Sequence, residues 1–172
     1  MEHLYFIAIL PDVTISSELT RFKYIAGEKF NSSKALNSPP HITLVPPFKC
    51  EYAKEKEILE ILRKISKTTK EFYITLNGFN KFDKKVIFVD VEKNEELYEL
   101  KGKVMKSIES IIPELKNNSN KFHPHITIAF RDLKKEIFSE AWKYFSKMEY
   151  YRIFKADNIT LLRHNGKKWQ IV

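Results

Sequence analysis

The chain has 172 residues, 43% hydrophobic and 30% charged, with 13 Phe, 8 Tyr and only four Gly. That is the composition of an ordinary globular protein with enough apolar mass for one real core. No stretch approaches the roughly 20 apolar residues a membrane span requires, and the single cysteine, Cys50, can close no internal disulfide. The net charge of +8 and pI near 9.4 favour anionic partners such as phosphate esters or nucleic acid. The lysines are nevertheless scattered in pairs, such as Lys84/Lys85 and Lys134/Lys135, which is equally the mark of a solvated surface.

In chain order, the apolar run Leu4–Leu10 lacks a basic flank and is followed by Pro11-Asp12, so it reads as a first strand and not a secretory signal. A reducing, cytoplasmic setting is expected. Ile15, Leu19, Phe22 and Ala26 recur at helical spacing. The irregular stretch 31–39 leads to Pro40-His41-Ile42-Thr43-Leu44. Ile58, Ile61, Leu62 and Ile65 then predict a helix, and 72–79 alternates like a strand. Val86–Val91 is the next strand, and Asn94 is placed to cap a helix with the stripe Leu97, Leu100, Val104, Ile108 and Ile111, ending near Pro113. A polar loop over 117–121 precedes Pro124-His125-Ile126-Thr127-Ile128. Phe138, Ala141, Trp142 and Phe145 predict a last helix. A hairpin over 159–164 and 168–172, turned at Asn165-Gly166, closes the chain.

Each half therefore runs strand, helix, motif strand, helix, strand. The two Pro-His-Ile-Thr segments lie 84 residues apart, and Ile74-Thr75-Leu76 is echoed 85 residues later by Ile159-Thr160-Leu161. A repeat at half the chain length predicts an α+β fold of two similar lobes, interleaved in a single domain over 1–172.

In a strand, residues i and i+2 share a face. His41 and Thr43 thus point one way and Ile42 and Leu44 the other, and the second motif repeats the arrangement. If an approximate two-fold relates the lobes, two imidazoles and two hydroxyls meet in one cleft. In-line cleavage of a phosphodiester needs a base behind the nucleophile and an acid at the leaving oxygen. Imidazole titrates near neutrality and can supply both, and threonine hydroxyls suit non-bridging phosphate oxygens. His3 and His164 read as surface residues. His123 is two residues before His125, but no cluster of carboxylates or cysteines accompanies the pair, so no metal site and no cofactor is expected.

At these residues the chain resembles the 2H phosphoesterase superfamily, which includes bacterial 2′-5′ RNA ligase-like proteins and cyclic phosphodiesterases. The resemblance rests on the two His-x-Thr motifs, extended by Val45-Pro46-Pro47-Phe48 after the first and Ala129-Phe130-Arg131 after the second. It implies two lobes with antiparallel sheets around a central cleft and helices outside. It also implies that His41 and His125 form the catalytic pair and that Thr43 and Thr127 bind phosphate. Arg131 is a candidate for a basic residue following the second motif. Phe48 and Phe130 are candidates for stacking on a base, or equally for packing at the cleft edge.

The expected activity is metal-independent hydrolysis of a 2′,3′-cyclic phosphate or 2′-5′ phosphodiester, with an RNA 3′ end or a small cyclic nucleotide as substrate and a monomeric enzyme. Two other readings stand beside it: a non-catalytic RNA-end or nucleotide-binding module, and a 2′-5′ RNA ligase running the same chemistry in reverse. Two equivalent motifs leave open which histidine is base and which acid.

Overall fold

Tyr5, Ile7 and Ile9 on one face of the first strand, and Phe6 and Ala8 on the other, are all at most 3% exposed, so β1 (Glu2–Ile9) is covered on both sides. Asp12 then accepts the Ile15 N–H at 2.9 Å and caps α1 (Val13–Phe30), which ends at Asn31 in the left-handed conformation, φ 55°. A short 3-10 turn, Lys34–Asn37, leads into β2 (Ile42–Glu51). The chain continues through α2 (Glu55–Thr68), β3 (Tyr73–Phe82), β4 (Val86–Val91), α3 (Glu95–Glu109), β5 (His125–Ala129), α4 (Lys135–Ser146), β6 (Tyr151–Lys155), β7 (Ile159–His164) and β8 (Trp169–Ile171). The computed structural model describes residues 1–117 and 121–172, and the polar loop expected over 117–121 falls mostly outside them. No helix among the described residues is long and apolar enough to cross a membrane.

The strands form two antiparallel four-stranded sheets, ordered β2-β1-β7-β8 and β5-β4-β3-β6. The repeat is visible in this order: β2, β1 and β7 of the first sheet match β5, β4 and β3 of the second. The strands β3 and β7 have each crossed into the other half's sheet, while β6 stays with β4 and β5 and pairs with β3. One apolar cluster runs through both halves, joining Ile7, Ile42 and Leu44 to Ile74, Ile87, Ile126 and Ile128 beneath the helices.

Local chemistry accounts for most boundaries. The Asn94 side chain accepts the Leu97 N–H at 2.9 Å, as its capping position predicts, and donates to the Tyr73 carbonyl at 2.8 Å. The last hairpin turns where Asn165 accepts the N–H groups of Lys167 and Lys168 and Gly166 takes φ 94°. Two features depart from the sequence reading. The pattern gave no sign of β6, whose Tyr151, Arg152 and Ile153 are all exposed. The buried stripe of α1 runs Ile15, Leu19, Lys23, Ala26 and Phe30, with Phe22 only half-buried, so a lysine occupies a core position.

Candidate active site

The motif strands β2 and β5 lie at the edges of their sheets and touch each other. An edge position tolerates prolines at the strand entrances, and the pleat alternates as expected. His41, Thr43, His125 and Thr127 are half-buried, whereas Ile42, Leu44, Ile126 and Ile128 are at most 1% exposed. His41 Nδ1 lies 2.8 Å from the Pro39 carbonyl, and His125 Nδ1 lies 2.7 Å from the His123 carbonyl. A carbonyl only accepts, so both Nδ1 atoms carry the proton. Each neutral ring therefore keeps a basic Nε2. The same anchor, two residues upstream, fixes both rings.

Aromatic side chains back each imidazole. Phe6 lies 4.6 Å from the His41 ring, centroid to centroid, and itself packs edge-on against Trp169. Phe82 and Phe88 stand 4.9 and 5.0 Å from His125. Burial accordingly pushes the His41 pKa down, to about 4. The Pro39 hydrogen bond opposes this shift, while the charges of Lys23 and His125 add to it. Burial lowers the His125 pKa too. There the hydrogen bond to the His123 carbonyl opposes the shift, the His123 ring adds to it, and the Asp90 carboxylate pulls the other way. The two rings thus differ in their electrostatic neighbours: the Lys23 charge acts on His41 and the Asp90 carboxylate on His125.

Two side chains hold the segment that leads to His41. Lys23, 2% exposed, donates from Nζ to the carbonyls of Ala35 and Ser38, both at 3.0 Å. Burial lowers its pKa to about 7. From the other half, the Asp132 carboxylate accepts the Ser32 hydroxyl at 2.8 Å and the backbone N–H groups of Ser33 and Lys34 at 2.8 and 2.9 Å. These amides open the 3-10 turn Lys34–Asn37, where unpaired donors and a carboxylate complement one another.

The sequence model of the 2′-5′ RNA ligase superfamily matches residues 11–168. The chain belongs to this superfamily. Among its relatives in the 2′-5′ RNA ligase superfamily, the Oceanobacillus iheyensis protein named "Putative phosphoesterase OB1230" is 32% identical over 138 residues, covering 79% of this chain and 75% of its own. A Geobacillus sp. WCH70 protein of the same naming is 32% identical over 140 residues, covering 80% and 75%. Among solved structures, TT0787 of Thermus thermophilus aligns with a TM-score of 0.72 at 14% identity, over 98% of this chain and 94% of its own. E. coli LigT complexed with 3′-AMP aligns at 0.69 and 16%, over 100% and 96%. At such identities these two show a shared fold: the two-sheet α+β architecture of the 2H phosphoesterases.

Thr43 and His125 line one cleft of about 320 Å³. His123 lines it as well, whereas His41 and Thr127 are not among its lining residues, and neither are Phe48, Phe130 and Arg131. Phe48 is 5% exposed and packs on Tyr5 with ring centroids 6.0 Å apart. It lies an even number of residues from Ile42 and Leu44, so the pleat puts it on their buried face, and the two register shifts between Tyr5 and Ala8 leave that alternation intact. Phe48 is therefore a core residue and does not stack in the cleft. Phe130 is half-buried just beyond β5, and the exposed Arg131 sets its guanidinium 5.3 Å from the Phe130 ring. Neither lines this cleft. His123 has Asp90 as its partner at 3.3 Å, and among the described residues no third His, Cys, Asp or Glu joins them. His164 accepts the Gly166 N–H at 3.2 Å and packs on Trp169.

Sequence reasoning missed Lys23, Asp132, Asp90 and the Phe6, Phe82 and Phe88 rings. Only Lys23 left a signal, as a cation four residues after Leu19 on an apolar stripe. Asp132 meets Ser32 across 100 residues, and no local pattern announces that.

Proposed function

We propose that this protein is a metal-independent phosphodiesterase that opens 2′,3′-cyclic phosphates or cleaves 2′-5′ linkages of RNA or nucleotides by two-histidine acid–base catalysis. The observation that carries the reading is the matched pair of Nδ1 anchors, 2.8 and 2.7 Å long, which commits both rings to offer Nε2 for proton transfer. The relatives' name as phosphoesterases and the LigT complex with 3′-AMP support the same class of substrate.

His41, with its pKa near 4, is neutral at physiological pH and takes the base role. Its Nε2 removes a proton from water as the water oxygen attacks phosphorus. The bond from phosphorus to the ribose oxygen opposite breaks, and that oxygen receives a proton from His125. Asp90 and the bound phosphate anion both favour the protonated His125 needed for this step. Thr43 and Thr127 donate to the non-bridging oxygens. The two histidines then exchange the surplus proton through solvent, so the net reaction adds one water. Ligation is the same path reversed, with acid and base exchanged.

The test is turnover of adenosine 2′,3′-cyclic phosphate and of a 2′-5′-linked dinucleotide, each with and without chelator. Chelator-resistant hydrolysis leaving the phosphate on one defined ribose oxygen is the expected result. A folded protein that binds these compounds and turns over neither would instead be a nucleotide-binding module.

A further inference from the structure

The cleft lined by Thr43 and His125 extends beyond the reacting centre to the flank of α3. Lys101 and Met105, one helical turn apart and so on one face, line it. Pro46, Phe82 and Phe122 complete an apolar wall, and Lys121 joins Lys101 at the polar side. No carboxylate is among the described lining residues. Phe122 is held in place: Tyr98 donates from its hydroxyl to the Phe122 carbonyl at 3.2 Å and packs edge-on at 5.0 Å, while the Lys101 ammonium lies 5.5 Å from its ring centre. The other flank has a different character, because the ring against His41 is Phe6, itself backed by Trp169.

A fixed, half-buried aromatic ring beside two lysines, with no carboxylate among the described lining residues, fits a nucleoside carrying a phosphate. On the phosphodiesterase reading the reacting phosphate is served by His41, His125, Thr43 and Thr127, so the lysines are left for a second anion. Resting on the phosphodiesterase reading above, we propose that this flank is a subsite for a second phosphate, attached to the 5′ oxygen of the nucleoside whose 2′,3′-cyclic phosphate reacts. The nucleoside lies along the Phe82–Phe122 wall, and its 5′-phosphate sits between Lys101 and Lys121. That phosphate belongs either to a longer RNA strand or to a 5′-phosphorylated mononucleotide.

Three substrates separate the cases: adenosine 2′,3′-cyclic phosphate with a free 5′-hydroxyl, its 5′-phosphorylated form, and a tetranucleotide ending in the cyclic phosphate. The expected result is a kcat/KM at least tenfold higher for substrates with the 5′-phosphate, with a preference that weakens as salt rises. The Lys101→Met/Lys121→Met double variant should bring that ratio down to near one, whereas Lys101→Arg should keep it. A gain with the 5′-phosphorylated mononucleotide as large as with the tetranucleotide assigns the subsite to small nucleotides; a gain confined to the tetranucleotide assigns it to RNA. No preference in the wild type, or a preference that survives the double variant, overturns the subsite and leaves the phosphodiesterase reading standing. Absence of all turnover overturns that reading instead. The subsite then stands or falls on whether adenosine 3′,5′-bisphosphate binds more tightly than 3′-AMP and loses the advantage in the double variant.

Discussion

The Asp132 carboxylate accepts the backbone N–H of Ser33 at 2.8 Å, tying a residue seven positions beyond His125 to one eight positions before His41. With its bonds to Lys34 N–H and the Ser32 hydroxyl, this carboxylate links the two motif segments across the halves of the molecule. Asp132→Ala removes three hydrogen bonds to a charged group and should destabilise the fold by ~2 kcal/mol, a figure reduced for partial exposure. Displacing the His41 segment should also lower kcat by roughly 10- to 100-fold, because acid–base catalysis is sensitive to shifts of about 1 Å. Asp132→Asn keeps one accepting oxygen and should recover part of both losses. Urea unfolding and steady-state kinetics on the two variants check this.

Lys23 acts on the same segment from below. Its ammonium holds the Ala35 and Ser38 carbonyls, and its charge depresses the His41 pKa. In Lys23→Met the depression is relieved, so the acidic limb of the kcat/KM–pH profile should move to higher pH. A stability effect accompanies it. The folded-state pKa of Lys23, about 7, lies below its ordinary 10.5. Between those values the unfolded chain binds the extra proton, so this group's contribution to stability rises with pH across that window. Lys23→Met should flatten that rise in denaturation curves recorded from pH 7 to 10.5.

Asp90 offers the converse test. Its carboxylate raises the His125 pKa, against the dominant effect of burial. Asp90→Asn should therefore move the basic limb, where the acid loses its proton, to lower pH while the acidic limb stays in place. Movement of the acidic limb instead would mean that His125 is the base.

Asn94 lies away from both histidines and caps α3 through Leu97. Asn94→Ala should cost about 1 kcal/mol of stability with kcat unchanged at temperatures where the protein stays folded. Thermal melts beside kinetics distinguish this loss from the coupled losses at Asp132.

The parts of this fold that were legible in the sequence are those that local chemistry specifies. The duplicated Pro-His-Ile-Thr segments, the Asn94 cap and the Asn165-Gly166 turn each depend on neighbours within a few residues. Pleat alternation alone was enough to separate His41 and Thr43 from Ile42 and Leu44. The strand β6 escaped because three of its five residues are exposed, which erases the period-two pattern. Phe48 was legible from the pleat as well: it lies an even number of residues from Ile42 and Leu44 and shares their buried face, whatever its nearness to the motif suggests. Asp132, and Asp90 with His123, depend on contacts 33 to 100 residues apart, which no local pattern encodes.

The central claim is that His41 and His125 act as one catalytic unit. It is tested most directly by kcat for His41→Ala, His125→Ala and the double variant on one cyclic-phosphate substrate, with melting curves showing that all three are folded. Residues that act as a unit are grossly non-additive, so each single variant should lose several orders of magnitude and the double variant little more than either. A single variant that keeps the wild-type rate, or a double variant whose loss is the full product of the two single losses, would contradict the account.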